Sequence, residues 1–376
     1  MPDKRVKANA VDYVYLAAVT GIVIFGVVMV GSASSAFALS EFGDQYHFLK
    51  RVIAFAAAGF AVMTLAEIVP VRYFYRFAYL TGIISLILLL LLFTPLGVVK
   101  NGAARWLSVS GVTFMPGEIA KAAVILVTAR FYAADKERIR SMMRGVLPML
   151  IFGGLFGLLI YKQPNLSTAV VVCGIVVGMM FIAGLNIVYL GSVVAGGVGV
   201  VLYKLVSDEG GYQAQRLTDF TDPFLNLQGG GYQVAQSMLG IGAGGVLGVG
   251  FGHSVQKMLY LPEGYNDFIL AIISEELGLV GCILLLAAYL VLIFRGMYIA
   301  MKAPDRFSML LAGGVTIFIA MQVLLHFMVV TAWMPPTGVA LPFVSYGGNA
   351  LMIYMGLAGL VLNVSRRIEK RQGAAQ

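Results

Sequence analysis

The sequence predicts an all-α polytopic membrane protein, and three observations carry that prediction. Charged residues make up 12% of the chain and hydrophobic ones 60%, against about 25% charged in soluble domains. Apolar runs of about 18 residues recur from end to end, the length that crosses roughly 30 Å of hydrocarbon. Basic residues gather between alternate runs, which is an orientation pattern and an attraction to anionic lipid, not a nucleic-acid patch.

On the length criterion there are about ten spans. Their cores are 12–36, 48–68, 73–94, 116–134, 145–161, 167–184, 186–206, 267–294, 307–331 and 339–364. The first follows a basic start (Lys4, Arg5, Lys7) and runs into the small-residue tract "SASSAFA", so it mimics a signal peptide. Its apolar run, Val11 to Val30, is longer than the about 7–15 residues of such a peptide and reads as a retained span. The fourth span is short and carries Glu118 and Lys121 in "MPGEIAKAA". The fifth and sixth are joined by "KQPNLSTAV", where Pro164 is a natural helix boundary and Ser167 is the expected cap. In the ninth, Gln322 and His326 are one turn apart on one face, a spacing suited to hydrogen bonds between helices. Cys173 and Cys282 both lie inside apolar runs and read as packing residues.

Counting spans odd and even groups the N-terminus, "VRYFYR", "ARFYAADKERIRSMMR", "FRGMYIAMKAPDR" and "SRRIEKR" at one membrane face. That set holds most of the 26 Lys and Arg. The positive-inside rule then places both termini in the cytoplasm. It places 95–115, 207–266 and 332–338 outside. The loop 207–266, between spans seven and eight, is the longest, and loops of that length are usually functional. A single membrane domain over 1–376 is expected.

Three carboxylates mark the end of that loop, in "LPEGYNDFILAIISEELG". Asp267 stands at the outer mouth of the eighth span, either as a helix cap or as a carboxylate facing a cavity. Glu275 and Glu276 are about 12 Å deeper and about 100° apart on the helix, so neither pairs with Asp267 on one bond. They read as helix-holding groups. Glu118 and Lys121, spaced i, i+3, form a local ion pair or line a central cavity. Arg105, beside Trp106 in "KNGAARWLSVSG", is either an interfacial residue or a planar cation for phosphate. Gly240, Gly242 and Gly245 in "GIGAGG" match G-x-G-x-x-G, but no βαβ unit surrounds them, so no dinucleotide site is expected. The tract serves either close packing or an anion. "MPPTGVALPFVSYGGNA" is an irregular helix entry, and such backbone survives at membrane depth only when buried or lining a wet cavity. It should therefore face the same cavity as Asp267 with Ser345 and Tyr346. Arg216, Gln236, Ser237, Lys257 and Glu263 complete the candidate substrate-binding set. The three histidines show no metal-ligand spacing.

The chain resembles the SEDS family (shape, elongation, division and sporulation) of FtsW, RodA and SpoVE. The matching stretches are "MVGSAS", "GDQYHFLKR", "GAARWLSVSGVTFMPGEIAK", "KQPNLSTA", "GGYQVAQSMLGIGAGGVLGVGFGHSVQKMLYLPEGYNDFILAIISEELGLVG", "PPTGVALPFVSYGGNALM" and "LNVSRR". "GDQYHFLKR" and "LNVSRR" place it nearer FtsW and SpoVE than RodA. The resemblance implies ten spans, and a peptidoglycan glycosyltransferase that polymerises lipid II on the outer face of the cytoplasmic membrane. It implies a class B penicillin-binding protein as transpeptidase partner, alongside other divisome or elongasome membrane proteins. The family's essential Asp falls on Asp267, its fourth-span Glu and Lys on Glu118 and Lys121, and its loop Arg on Arg105.

Several positions depart from the family pattern. The usual "QPD-GT" has Asn165 in place of the acid, "HTD" is Tyr265-Asn266-Asp267, "PSE" is Pro116-Gly117-Glu118, "SYGGSS" ends in Asn349-Ala350, and an Asn common in the ninth span is His326. The chemistry implied needs a base for a sugar hydroxyl and cations or amides for a pyrophosphate. Asp267 is the expected base, and Arg105, Lys121, Arg216, the glycine tract and Lys257 are candidate anion partners. A divalent cation (Mg or Mn) would assist, with no dedicated site in the sequence. A lipid-linked-sugar flippase and a non-catalytic scaffold are the alternative readings.

Overall fold

The computed structural model describes residues 11–100, 103–109, 112–207, 223–224 and 231–368. Its helices are α1 (Tyr13–Ala33), α2 (Ser35–Phe42), α3 (His47–Ile68), α4 (Val71–Leu91), α5 (Pro116–Ala134), α6 (Leu147–Tyr161), α7 (Leu166–Ala183), α8 (Ile187–Ser207), α9 (Gly231–Gly244), α10 (Ile269–Met301), α11 (Arg306–Val330) and α12 (Gly348–Arg366). Among the described residues eight helices are long and apolar enough to cross a membrane: α1, α3, α4, α6 with the turn before it, α7, α10, α11 and α12. The expected fourth and seventh spans, α5 and α8, are helical too: α5 carries Glu118, Lys121 and Arg130, and α8 is a 21-residue apolar stretch with Lys204 near its end. The first expected span is divided, because α1 stops at Ala33 and α2 follows Ser34.

A single hydrophobic core runs from Tyr15 on α1 to Val364 on α12. Helix α3 packs on α12, α1 on α10, α4 on α5, α6 on α7 and α10 on α11. Helices α5 and α11 are enclosed, with Val124, Ile125, Ala129, Val315, Phe318 and Ile319 all buried. Helices α3 and α4 instead turn Ile53, Leu65, Ile83 and Leu90 outward. The outer helices thus present apolar side chains where lipid would stand, and the enclosed α5 is where a charged pair can sit among protein partners.

The contacts sort the chain ends into the two sets expected from odd–even counting. At one end Arg295 bonds Asp12 at 2.8 Å, Arg366 bonds Glu67 at 3.0 Å, and Arg306 caps carbonyls of Tyr132 and Ala183, each at 2.9 Å. At the other end the segments 97–114, 163–167, 265–268 and 334–346 meet through contacts described below.

The fold is helical as expected, with one small antiparallel sheet on the loop after α4, made of β1 (Gly97–Lys100), β2 (Ala103–Val109) and β3 (Val112–Phe114) in the order β1-β2-β3. Within 207–266, α9 packs on α10 and buries Val234, Ala235 and Ser237.

The glycine tract explains how that packing is possible. Helix α10 breaks at Gly278 (φ 67°, ψ −168°), a conformation open essentially to glycine alone. The break orphans backbone groups, and residues 245–250 satisfy them. Val249 and Gly250 donate to the carbonyls of Glu275 and Glu276 at 2.9 and 3.1 Å. Leu279 and Val280 donate to the carbonyls of Gly245 and Val246 at 3.0 and 3.1 Å. A Cβ on Gly248 would stand 2.2 Å from the Glu276 carbonyl oxygen, so only glycine lets these backbones meet. Of the two sequence readings of this tract, close packing is the one seen.

Candidate active site

Asp267 lies just before α10, half-buried, with its N–H donating to the Glu263 carbonyl at 3.0 Å. Glu263 is exposed and takes a positive φ of 54°, which closes this turn. The N-cap position of α10 is Phe268, one residue beyond Asp267. Gly338 (φ +70°) lies so close that a Cβ there would stand 3.1 Å from Asp267 Oδ2.

The residues before Asp267 are held from α12's entry segment. Ser345 Oγ donates to the Asn266 carbonyl at 2.6 Å and accepts from the Leu341 N–H at 2.8 Å. The Tyr346 N–H donates to the Tyr265 carbonyl at 3.1 Å. The Tyr265 ring packs against Phe48 at 4.9 Å, Phe37 at 5.5 Å and Tyr346 at 5.9 Å. Burial, and then nearby acidic groups, Glu263 foremost, push the Tyr265 phenol up, so it stays a neutral hydroxyl. Ser345 and Tyr346 therefore join the Asp267 neighbourhood, as the sequence suggested, and they act there as struts.

The turn 163–167 closes the same rim. Arg105 on β2 donates to the Pro164 carbonyl, and Ser167 Oγ donates to the Thr337 carbonyl beside Gly338. The expected cap is corrected: Asn165, not Ser167, accepts the Thr168 N–H at 3.2 Å and starts α7. An amide oxygen serves that purpose as well as a carboxylate, so the position where the family pattern has an acid remains a working cap. From β3, the Thr113 carbonyl accepts from Asn349 Nδ2 at 2.7 Å.

Glu275 and Glu276 are structural, as expected. The Glu275 carboxylate accepts from Ser254 Oγ, from the Val255 N–H at 2.9 Å and from the Gln256 N–H at 3.2 Å. Glu276 accepts from Ser32 Oγ at 2.7 Å and from Lys257 Nζ at 2.8 Å. Lys257 also donates to the Gly252 carbonyl at 2.7 Å and to Ser32 Oγ at 3.0 Å. An ammonium has three N–H groups, and all three are engaged, so Lys257 has none left for a phosphate. That removes it from the anion partners.

Glu118 and Lys121 form a buried pair at 2.7 Å in the middle of the bundle. The Lys121 ammonium also reaches Tyr354 OH at 3.4 Å and lies 5.6 Å from the Phe318 and Tyr354 ring centres. Gln322 Nε2 donates to the same Tyr354 hydroxyl at 2.8 Å. Ser237 is buried and donates to the Val330 carbonyl at 2.8 Å, and Gln236 is half-buried on α9. Gly242 faces open space. Arg216 lies outside the described residues. Sequence reasoning missed Gly338 and Thr337; the irregular Pro-Pro-Thr-Gly stretch was the available signal.

A family model described as a cell cycle protein, FTSW_RODA_SPOVE, matches residues 13–370. The chain belongs to the FtsW/RodA/SpoVE family. A probable peptidoglycan glycosyltransferase FtsW of Geobacter sp. (strain M18) is 34% identical over 98% of this chain and all of that relative. Stage V sporulation protein E of Bacillus subtilis (strain 168) is 38% identical over 92% of this chain and 94% of its own. Among solved structures, a chain from a peptidoglycan synthase complex with coordinated polymerization and crosslinking superposes with a TM-score of 0.80. It is 26% identical, covering 96% of this chain and 99% of that one. The rod-shape-determining protein RodA of Thermus thermophilus gives 0.70 at 26% identity, over 96% and 98% of the two chains. A multi-pass membrane fold is common to this FtsW/RodA/SpoVE member and its relatives, and the FtsW relatives are named peptidoglycan glycosyltransferases.

Proposed function

We propose that Asp267 is the general base of a glycosyl transfer by which this peptidoglycan glycosyltransferase polymerises lipid II. The observation that supports it most directly is the division of labour among three acids. Glu275 and Glu276 hold backbone and Lys257, while Asp267 stands half-buried at the rim where four segments converge.

The reaction joins the 4-hydroxyl of one sugar to the anomeric carbon of another as the lipid pyrophosphate leaves. Asp267 takes the hydroxyl proton as the new bond forms. One base is sufficient for transfer with inversion, so a second close carboxylate is not required. Arg105, on the same rim, supplies a planar cation for the departing pyrophosphate. Among the described residues no group of three or more His, Cys, Asp or Glu is arranged to hold a metal. A divalent cation would therefore arrive with the pyrophosphate. The fall of basic residues supports cytoplasmic termini, a location in the cytoplasmic membrane and a site facing outward, where lipid II is presented. The likeness to a chain of a peptidoglycan synthase complex supports a class B penicillin-binding protein as partner.

The test is polymerisation of lipid II by the purified full chain with its transpeptidase. Asp267→Asn keeps size and hydrogen bonding but cannot accept the proton at neutral pH. It should fold and give no polymer. Wild-type polymer from Asp267→Asn would remove Asp267 as base.

A further inference from the structure

We propose that His326 is a positioning residue for Asp267. Its imidazole holds the strip of backbone against which the Asp267 carboxylate rests. The proposal rests on Asp267 being the base.

His326 sits one turn beyond Gln322 on α11 and is fully buried. Its Nδ1 is 2.7 Å from the Val339 carbonyl oxygen. A carbonyl can only accept, so Nδ1 carries the proton and donates; the tautomer follows from the bond. The residue before Val339 is Gly338, which lies against Asp267 Oδ2. The residue before that is Thr337, whose carbonyl accepts from Ser167 Oγ. Two side chains, from α7 and α11, thus pin the carbonyls on either side of Gly338.

The strip depends on such pins. It leaves α11 after Val330, and Pro335 and Pro336 have no N–H to give to a backbone ladder. Beyond it, the Leu341 N–H turns to Ser345 Oγ, the same hydroxyl that holds the Asn266 carbonyl. Moving Val339 therefore moves Gly338 on one side of Asp267 and loosens the strut on the other. A shift of about 1 Å in a base can cost on the order of 100-fold in rate. A histidine that merely filled the core would be replaceable by any side chain of like size.

The experiment compares His326→Leu, His326→Asn and His326→Gln in the full chain with its transpeptidase, on lipid II. Rates, KM and thermal unfolding are measured together, with Asp267→Asn as control. Asn carries an N–H at nearly the place of Nδ1, whereas Gln carries the same amide on a longer arm. The expected result is a kcat lowered about 10- to 100-fold in the Leu and Gln variants, with KM within about twofold. His326→Asn should recover to within a few-fold of wild type. If His326→Leu does not fold, the Asn and Gln pair decides. Equal kcat for Asn and Gln, or wild-type kcat in folded His326→Leu, overturns the positioning role. If Asp267→Asn polymerises normally, the base assignment itself fails. If Asp267→Asn is dead while the 326 variants match wild type, only the positioning role falls.

Discussion

Lys257 Nζ lies 2.8 Å from Glu276 Oε1, and the two side chains are 4% and 0% exposed. This pair ties the segment before Asp267 to the deep part of α10, and Ser32 adds α1 to the same knot. Removing one partner leaves a buried charge alone. Lys257→Met or Glu276→Leu should each lower stability by roughly 3–5 kcal/mol, and the double variant should recover most of it. Unfolding of detergent-purified variants measures this. Single variants as stable as wild type would show the pair to be dispensable.

Gly278 is the joint at which α10 breaks. Its φ of 67° is strained for any other residue, and a Cβ would stand 2.3 Å from the Gly248 nitrogen. Backbone cannot yield as a flexible side chain can. Gly278→Ala should therefore lose more than the about 1–3 kcal/mol of conformational strain alone, and little folded protein should survive size-exclusion chromatography. A monodisperse variant of wild-type melting temperature would contradict the role given to residues 245–250.

Gly338→Ala tests the contact with Asp267 from the other side. The left-handed φ of +70° costs a substituted residue about 1–2 kcal/mol, which a large bundle should tolerate. The new methyl would crowd Oδ2. The expected outcome is a folded protein whose lipid II polymerisation falls about 10-fold or more, with KM little changed. An unaltered rate would mean that Asp267 can be displaced without consequence.

Tyr354 links Lys121 to Gln322 through a single hydroxyl. Tyr354→Phe removes it and leaves buried donors short of an acceptor, costing roughly 1–3 kcal/mol. Gln322→Leu removes one of those donors as well. The double variant should thus cost less than the sum of the two singles, the signature of coupled groups in a double-mutant cycle. Strict additivity would argue against a shared network.

Much of the site was legible one residue at a time. Asp267 stood out as an ionisable group at a span's mouth, and Glu275 and Glu276 were recognised as too deep and too divergent to join it. The glycine tract was ambiguous, because close backbone packing and anion binding ask for the same residue; only the bonds from 249 and 250 to α10 separate them. Lys257 looked like an anion partner because its partners, Glu276 and Ser32, are distant in the chain or hidden inside a span. Ser167 looked like a helix cap because capping is local; its actual acceptor, Thr337, is 170 residues away.

The sequence by itself determined the class and which chain ends gather together, because hydrophobic length and the placement of basic residues act locally along the chain. It determined the family as well, through motifs that need no geometry to be read. The tertiary structure decided which polar groups serve chemistry and which serve packing. That choice depends on partners brought from other helices: Gly338 to Asp267, Lys257 to Glu276, His326 to Val339. In a membrane bundle an enclosed polar group must find a protein partner, and which partner it finds is set by how the helices cross.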